Sequence, residues 1–332
     1  MSEVVASAPG AFAGVCRQMK RNILLTGRTG QVGSELLRLL PEIGEVVAPD
    51  RHELDLLNPD SIRRAVREIR PEFIVNAAAF TAVDVAETQE PDAYAINANA
   101  PGVLAEEAKK IGAAVIHYST DYVFDGAKRT PYDEADSAAP TNVYGRTKLA
   151  GEQAVCAAGV PHLIFRTAWV YSSRGRNFLR TILRLATEKE ELRVVRDQFG
   201  TPTWSRDIAE ATVKILAQLT SQGSSVANSF SRISGIYHLT AAGETTWFDF
   251  ARAILEEAAH PSPAIEWFDE ATRRRSLITR QIIPITTSEY PTRASRPLYS
   301  VLSNSRLRQT FGIELPHWRT QVHLVFELDR SS

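Results

Sequence analysis

The sequence predicts an α/β protein built on a doubly wound parallel sheet. Three observations carry this. Short apolar runs alternate with amphipathic stretches from residue 22 to about residue 168. The links between them are short, as strand–helix–strand units require. The first apolar run also leads directly into a glycine-rich turn and a helical pattern.

The elements follow in order. "NILLT" (22–26) reads as a buried parallel strand, and "SELLRLL" after it has apolar residues at helical spacing. "EVVAP" is a strand, "DSIRRAVREI" a helix and "EFIVNAA" a strand. One helix is expected over roughly 91–110, then the strand "AAVIHYS", a helix around 142–157 and the strand "HLIFRTA". Beyond about residue 171 the alternation loosens. Helices are expected in "NFLRTILRLATEK", over 205–220 and in "WFDFARAILEEA", with a late strand in "IYHLT". The tract "TSQGSSVANSFSRISG" and residues 270–304 read as loops. The expected organisation is a disordered extension over 1–20, a dinucleotide-binding Rossmann-like domain over 21–170, and a smaller interleaved C-terminal lobe over 171–332. Segments at about 205–240 would return to the first domain.

Composition narrows the class. The 332 residues carry a formal net charge of −1, which gives no global basic field for nucleic acid. Two cysteines, Cys16 and Cys156, make no disulfide framework or zinc motif. No apolar run is long enough to span a bilayer, and the opening residues lack the basic start of a signal peptide. A cytoplasmic setting without membrane or nucleic-acid partners is expected.

Gly27, Gly30 and Gly33 stand between the first strand and its helix, with Arg28, Gln31 and Val32 among them. Glycine lets a backbone approach a pyrophosphate, and the helix N-terminus offers free N–H groups. A plain strand–helix turn is the alternative. Asp50 ends the second strand, where a carboxylate can accept from an adenosine ribose; the adjoining Arg51 can pair with a 2′-phosphate. The two pull towards NADH and NADPH respectively, so use of both is expected, with NADPH favoured. Asp55 and Leu56 are candidates for the adenine side, Asp55 being also a possible turn residue. Ala77, Ala78 and Ala79 suit a backbone passing beneath a cofactor, or simple packing at a helix start.

Tyr144 and Lys148 are four residues apart at the start of a predicted helix and so share a face. An ammonium beside a phenol stabilises the phenolate. Bringing a phenol from about 10 to about 7 needs roughly 4 kcal/mol. Thr120, ending the preceding strand, adds a hydroxyl for the reacting oxygen. A solvated helix end is the alternative. Trp169 can stack on a sugar or base or pack in the core, and Asn177 is a polar handle nearby. Arg174, Arg176, Arg206, Arg293 and Arg296 are available for a diphosphate.

"GRTGQVG", "VNAAAFTAVDVAE", "HYSTDYVFDG", "YGRTKLAGE", "FRTAWVY", "DQFGTPT" and "RP" ahead of Ser300 together resemble the dTDP-4-dehydrorhamnose reductases, a family of extended short-chain dehydrogenases/reductases. The resemblance runs from about Asn22 to at least Ser300. It implies a catalytic trio of Thr120, Tyr144 and Lys148, and cofactor contacts at Gly27, Gly30, Gln31, Val32, Asp50, Asp55, Leu56 and Ala77 to Ala79. It also implies sugar-nucleotide contacts at Thr120, Asp121 and Trp169. The implied reaction reduces the 4-keto group of dTDP-4-dehydro-β-L-rhamnose with NADPH or NADH, for cell-surface polysaccharide, in a monomer or homodimer. Some relatives use Mg2+ held by an acidic residue after "DQFG-PT"; here Arg206 stands there, with Asp207 beside it. Two other readings are a related nucleotide-sugar reductase or epimerase, and a non-catalytic NADP-binding regulatory subunit.

Overall fold

The structure, a computed structural model, describes residues 21–221, 230–259 and 266–327. The expected extension over 1–20, including Cys16, and residues 222–229 of the polar tract lie outside the described residues.

Six parallel strands form the central sheet. They are β1 (Asn22–Thr26), β2 (Glu45–Val47), β3 (Phe73–Asn76), β4 (Ala114–Thr120), β5 (His162–Thr167) and, after four short strands, β10 (Gly235–His238). The spatial order is β10-β5-β4-β3-β1-β2. The order reverses beside β1, and at such a switch point the loops at the carboxyl ends diverge and leave a crevice.

Helices cover both faces. On one side α1 (Gln31–Leu39) packs against α8 (Ser205–Thr220), burying Ile23, Leu25, Phe73, Val75, Ile116 and Phe165 beneath them. On the other, α2 (Pro59–Ile69), α5 (Ala100–Ile111) and α6 (Val143–Ala158) cover Leu24, Ile74, Val115 and Ile164. The alternation of Ile23 to Leu25 between faces is the period-2 pleat of a strand buried on both sides. Local signals set the helix ends. Asn58 caps α2 by accepting from the N–H groups of Asp60 and Ser61, with Pro59 at the first position. Asn142 caps α6 through the N–H of Gly145, and Gly159 ends that helix in the left-handed region at φ 64°.

The helix expected over 91–110 is interrupted. Residues Glu90–Tyr94 form α4, which follows the short α3 (Val83–Ala86), and Ala95–Asn99 then make a π-turn before α5. The turn serves a close helix contact, since a Cβ on Gly151 of α6 would lie 2.1 Å from the Asn97 carbonyl oxygen. Asn97 is fully buried; its side chain accepts from the N–H of Phe80 (2.8 Å) and donates to the Phe80 carbonyl (3.1 Å). The π-turn therefore pins the loop that leaves β3, and π-bulges recur at such functional positions.

The later chain contributes to both halves. Short strands β6 (Val170–Tyr171) and β9 (Thr203–Trp204) pair in parallel, β7 (Glu191–Val195) pairs with β12 (Gln281–Ile285), and β8 (Phe199–Gly200) pairs with β11 (Thr245–Thr246). A second core gathers α7 (Phe178–Ala186), α9 (Trp247–Ala258), α10 (Glu266–Thr272) and α12 (Trp318–Glu327) around Phe250, Trp267 and Phe326. Meanwhile α8 and β10 belong to the main sheet and its cover, and α11 (Ser305–Phe311) adds Leu307 and Phe311 to the same core. Within 270–304, read from sequence as loops, β12 is a strand because Ile282 and Ile285 find a partner in β7. No helix among the described residues is long and apolar enough to cross a membrane.

Candidate active site

A cavity of about 710 Å³ opens at the carboxyl ends of the central strands. That volume falls within the roughly 300–1,000 Å³ of small-molecule sites. The segments following β1, β2, β3 and β5 and the carboxyl end of β4 line it, together with Ile96 from the π-turn and Tyr144 and Lys148 from α6. A smaller cavity of about 250 Å³ near Gly243 and Arg308 shares no residue with it.

The floor is a backbone cradle. Gly27 adopts φ +76°, and a Cβ there would lie 2.6 Å from the Ala78 nitrogen. At Gly33 a Cβ would lie 2.0 Å from the Gly27 carbonyl oxygen, so α1 can start this close to the turn only without a side chain. Gly30 caps α1 with no side-chain hydrogen bond, so the first-turn N–H groups keep their capacity for an anion. Gly27, Arg28, Gly30, Gln31, Val32, Asp50, Arg51, Asp55, Leu56 and Ala77 to Ala79 all line this cavity. The open cradle, the helix end and the adjoining cations together fit a dinucleotide.

Asp50 is half committed. Its Oδ1 accepts from the N–H groups of His52 (2.8 Å) and Glu53 (3.1 Å), which holds its carboxyl below the usual range, with Arg28 adding to the effect. Its Oδ2 lies 3.6 Å from Arg28 Nη2, while Arg28 Nη1 donates to the Ala48 carbonyl at 3.0 Å. Asp55 accepts from the N–H of Leu57, so it is a turn residue as well as a cavity wall.

On the opposite wall, the Tyr144 ring rests near Phe80, Ala86 and Ala93 and meets Tyr122 edge-on at 5.7 Å. Its phenol is pushed up to about 12, chiefly by burial, with the Thr120 hydroxyl pulling down and Asp121 pushing up. The sequence reading expected the reverse, a phenol lowered by Lys148. The reason is the direction of the lysine. Lys148 is 2% exposed, and its amine donates to the Tyr118 carbonyl at 2.6 Å, with His117 Nε2 at 3.4 Å. Burial lowers that amine to about 8, against the pull of the Glu152 carboxylate.

Thr120 is buried; its hydroxyl donates to Asp121 Oδ1 at 3.0 Å and accepts from the N–H of Tyr122. Burial raises the Asp121 carboxyl to about 6, opposed by the Ser300 and Thr120 hydroxyls. Trp169 sits in the left-handed region at φ 46° with its indole stacked on Trp247 at 3.5 Å. Gly200 approaches the same indole so closely that a Cβ there would be 2.4 Å from its Cε2. Asn177 caps α7 and donates to the carbonyls of Ser172 and Arg174. Neither Thr120, Asp121, Trp169 nor Asn177 is among the residues lining the large cavity. Of the arginines singled out, Arg176 lines it; Arg296 is paired with Asp84 (2.6 Å) and Arg206 with Glu210 (2.9 Å). Among the described residues no group of three or more His, Cys, Asp or Glu is placed to hold a metal ion.

Among the lining residues not singled out one by one, Ile96 carried no sequence signal, whereas Ser119, Thr167 and Val170 lie in segments read as strand ends. Thr167 ends β5 and Val170 lies just beyond it, which is where such residues are expected.

The sequence profile described as the RmlD substrate binding domain matches residues 19–330. A dTDP-4-dehydrorhamnose reductase of Burkholderia thailandensis is 49% identical over 303 residues, covering 91% of this chain and 97% of that protein. The chain belongs to the dTDP-4-dehydrorhamnose reductase family. The Escherichia coli K12 member is 45% identical over 305 residues, covering 91% of this chain and 95% of its own. A dTDP-4-dehydrorhamnose reductase of Bacillus anthracis, solved in complex with NADP, superimposes with a TM-score of 0.80 at 33% identity, covering 93% of this chain and 99% of that one. The match to this family spans both halves of the fold, so the C-terminal core is as much a family feature as the central sheet.

Proposed function

We propose that the protein reduces the C4 keto group of dTDP-4-dehydro-β-L-rhamnose to give dTDP-L-rhamnose, using NADPH and also NADH. One observation carries the reading: Tyr144 and Lys148, one helical turn apart, line the same cavity as the glycine cradle. In this reading residues 21–170 bind the dinucleotide, residues 171–332 form most of the lobe that receives the sugar nucleotide, and the enzyme works in the cytoplasm.

A reduced nicotinamide dinucleotide bound in the cradle would supply hydride to the carbonyl carbon. The rest falls to the chain. Tyr144 donates its phenolic proton to the carbonyl oxygen as negative charge develops there. A phenol kept at about 12 is fully protonated at neutral pH, which is the state a proton donor for reduction needs. Lys148, largely an ammonium below about 8, steadies the phenolate that remains and can reach a ribose hydroxyl. Thr120 places its oxygen beside Tyr144, and Asp121 orients that hydroxyl. Asp50 Oδ2 would accept from an adenosine ribose, and Arg28 and Arg51, on the same cavity wall, would pair with a 2′-phosphate. Trp169 offers the sugar nucleotide an indole already ordered by Trp247, and Asn177 shapes the loop over 172–177 rather than touching substrate.

The test is oxidation of NADPH by the purified protein over a panel of 4-keto sugar nucleotides that differ in base and hexose. Turnover of the deoxythymidine compound well above the others supports the reading. Turnover of a uridine or guanosine compound alone moves the protein to another nucleotide-sugar reductase. Cofactor binding with no turnover of any would favour a regulatory subunit.

A further inference from the structure

A line of buried polar side chains crosses the sheet behind Lys148. Thr26, Asn76 and His117 sit in register on β1, β3 and β4, with Thr26 opposite Asn76 and Asn76 opposite His117. Partners in a parallel register point to the same face. Here that face is the one α6 covers, where the preceding layer is the apolar row Leu24, Ile74 and Val115. All three polar residues are 2% exposed or less. The Thr26 hydroxyl and the Asn76 amide are 2.6 Å apart, the Asn76 amide meets His117 Nδ1 at 3.1 Å, and His117 Nε2 stands 3.4 Å from Lys148 Nζ. Nothing in the packing of a sheet calls for three polar residues in a row, and each would be costly there unpaired.

We propose that His117 is a positioning residue for Lys148. An ammonium can only donate, so Nε2 accepts from it, the ring proton sits on Nδ1 and the Asn76 amide offers its oxygen to that N–H. The Tyr118 carbonyl oxygen holds the amine from the other side, and Asn76 and Thr26 fix the ring. The arrangement answers a mechanical problem. A lysine side chain has four rotatable bonds, and one carbonyl contact leaves the amine free to swing about it. A second contact from a ring that cannot turn removes that freedom, which reaction geometry requires. Other groups near the amine are engaged elsewhere. Glu152, one turn further along α6, is bound by Arg166 at 2.9 and 2.6 Å, and the Tyr118 hydroxyl bonds Thr212.

The inference rests on Lys148 acting in the proposed reduction, and the experiment separates the two. An asparagine amide reproduces the Nδ1 position of histidine and a glutamine amide the Nε2 position. His117→Asn should keep the bond to Asn76, lose the contact with Lys148, and lower kcat by roughly 10- to 100-fold with little change in the KM for the sugar nucleotide. His117→Gln should stay within about 3-fold of the parent. Equal losses in both variants, or no loss in either, would overturn the proposal. Thr26→Val, at the far end of the row, guards against variants at 117 that fail to fold. It should lower kcat about 2- to 5-fold, and a folded Thr26→Val with unchanged kcat also overturns it. Lys148→Met is the control: if it remains active, the reading of Lys148 fails, whereas an inactive Lys148→Met beside silent His117 variants overturns this inference alone.

Discussion

Lys148 should lower the stability of the protein that needs it. At 2% exposure its amine is held at about 8 instead of 10.5, mainly by burial. Below about 8 both folded and unfolded chains carry the ammonium, and the folded one carries it at a penalty of roughly 3 kcal/mol. Lys148→Met removes the charge and keeps an unbranched side chain. It also loses the bond to the Tyr118 carbonyl, worth about 1 kcal/mol. The net expectation at pH 7 is a gain of about 2 kcal/mol, or roughly 3 °C in Tm for a chain of this length, together with loss of nearly all turnover. The sign against pH follows from proton counting. Between about 8 and 10.5 the unfolded chain binds more protons at this site than the folded one, so the lysine protein gains stability as pH rises and the methionine variant does not. Thermal melts of both proteins at pH 7 and near pH 10 measure the gap, and titrations common to both cancel. A methionine variant less stable at pH 7, or a gap that stays constant with pH, would refute the reasoning.

Tyr144→Phe should lower kcat by about 10²–10⁴-fold while fluorescence titration gives an almost unchanged Kd for NADPH. The pH profile of kcat should fall as pH rises through about 8, where Lys148 loses its proton, with no second fall from Tyr144 until near 12; a profile flat to pH 10 would contradict it. Asp50→Asn keeps the turn made by Oδ1 and should raise the Kd for NADH more than that for NADPH, whereas Arg28→Ala should do the reverse. Gly33→Ala forces a methyl to 2.0 Å from the Gly27 oxygen. It should destabilise by about 2–4 kcal/mol and weaken dinucleotide binding at least about 10-fold by calorimetry.

What the sequence showed well was whatever depends on neighbours along the chain. The strands from Asn22 to Thr167 follow from apolar runs, α2 and α6 from helical patterns between those runs, and the shared face of Tyr144 and Lys148 from helical spacing. Hidden features depend on distant segments meeting. The stack of Trp169 on Trp247, the pairing of Arg296 with Asp84 and the register of Thr26, Asn76 and His117 leave no local pattern. The π-turn over Ala95–Asn99 was invisible for a similar reason. It makes its close contact with Gly151 on another helix, against the Asn97 carbonyl, and that partner lies far along the chain.

The missed direction of the Tyr144 shift shows what spacing alone cannot decide. Two residues on one face of a helix are neighbours, but the atoms that set a pKa lie at the ends of their side chains. Lys148 turns its amine to the Tyr118 carbonyl and His117, while the Tyr144 phenol lies with Thr120 and Asp121. The consequence favours reduction over the reverse reaction. Oxidation of an alcohol needs a phenolate in advance, and a phenol at about 12 supplies little of it at neutral pH. Reduction needs the proton in place beforehand, and an alkoxide is a far stronger base than a phenolate, so the transfer runs downhill even from a phenol raised by burial.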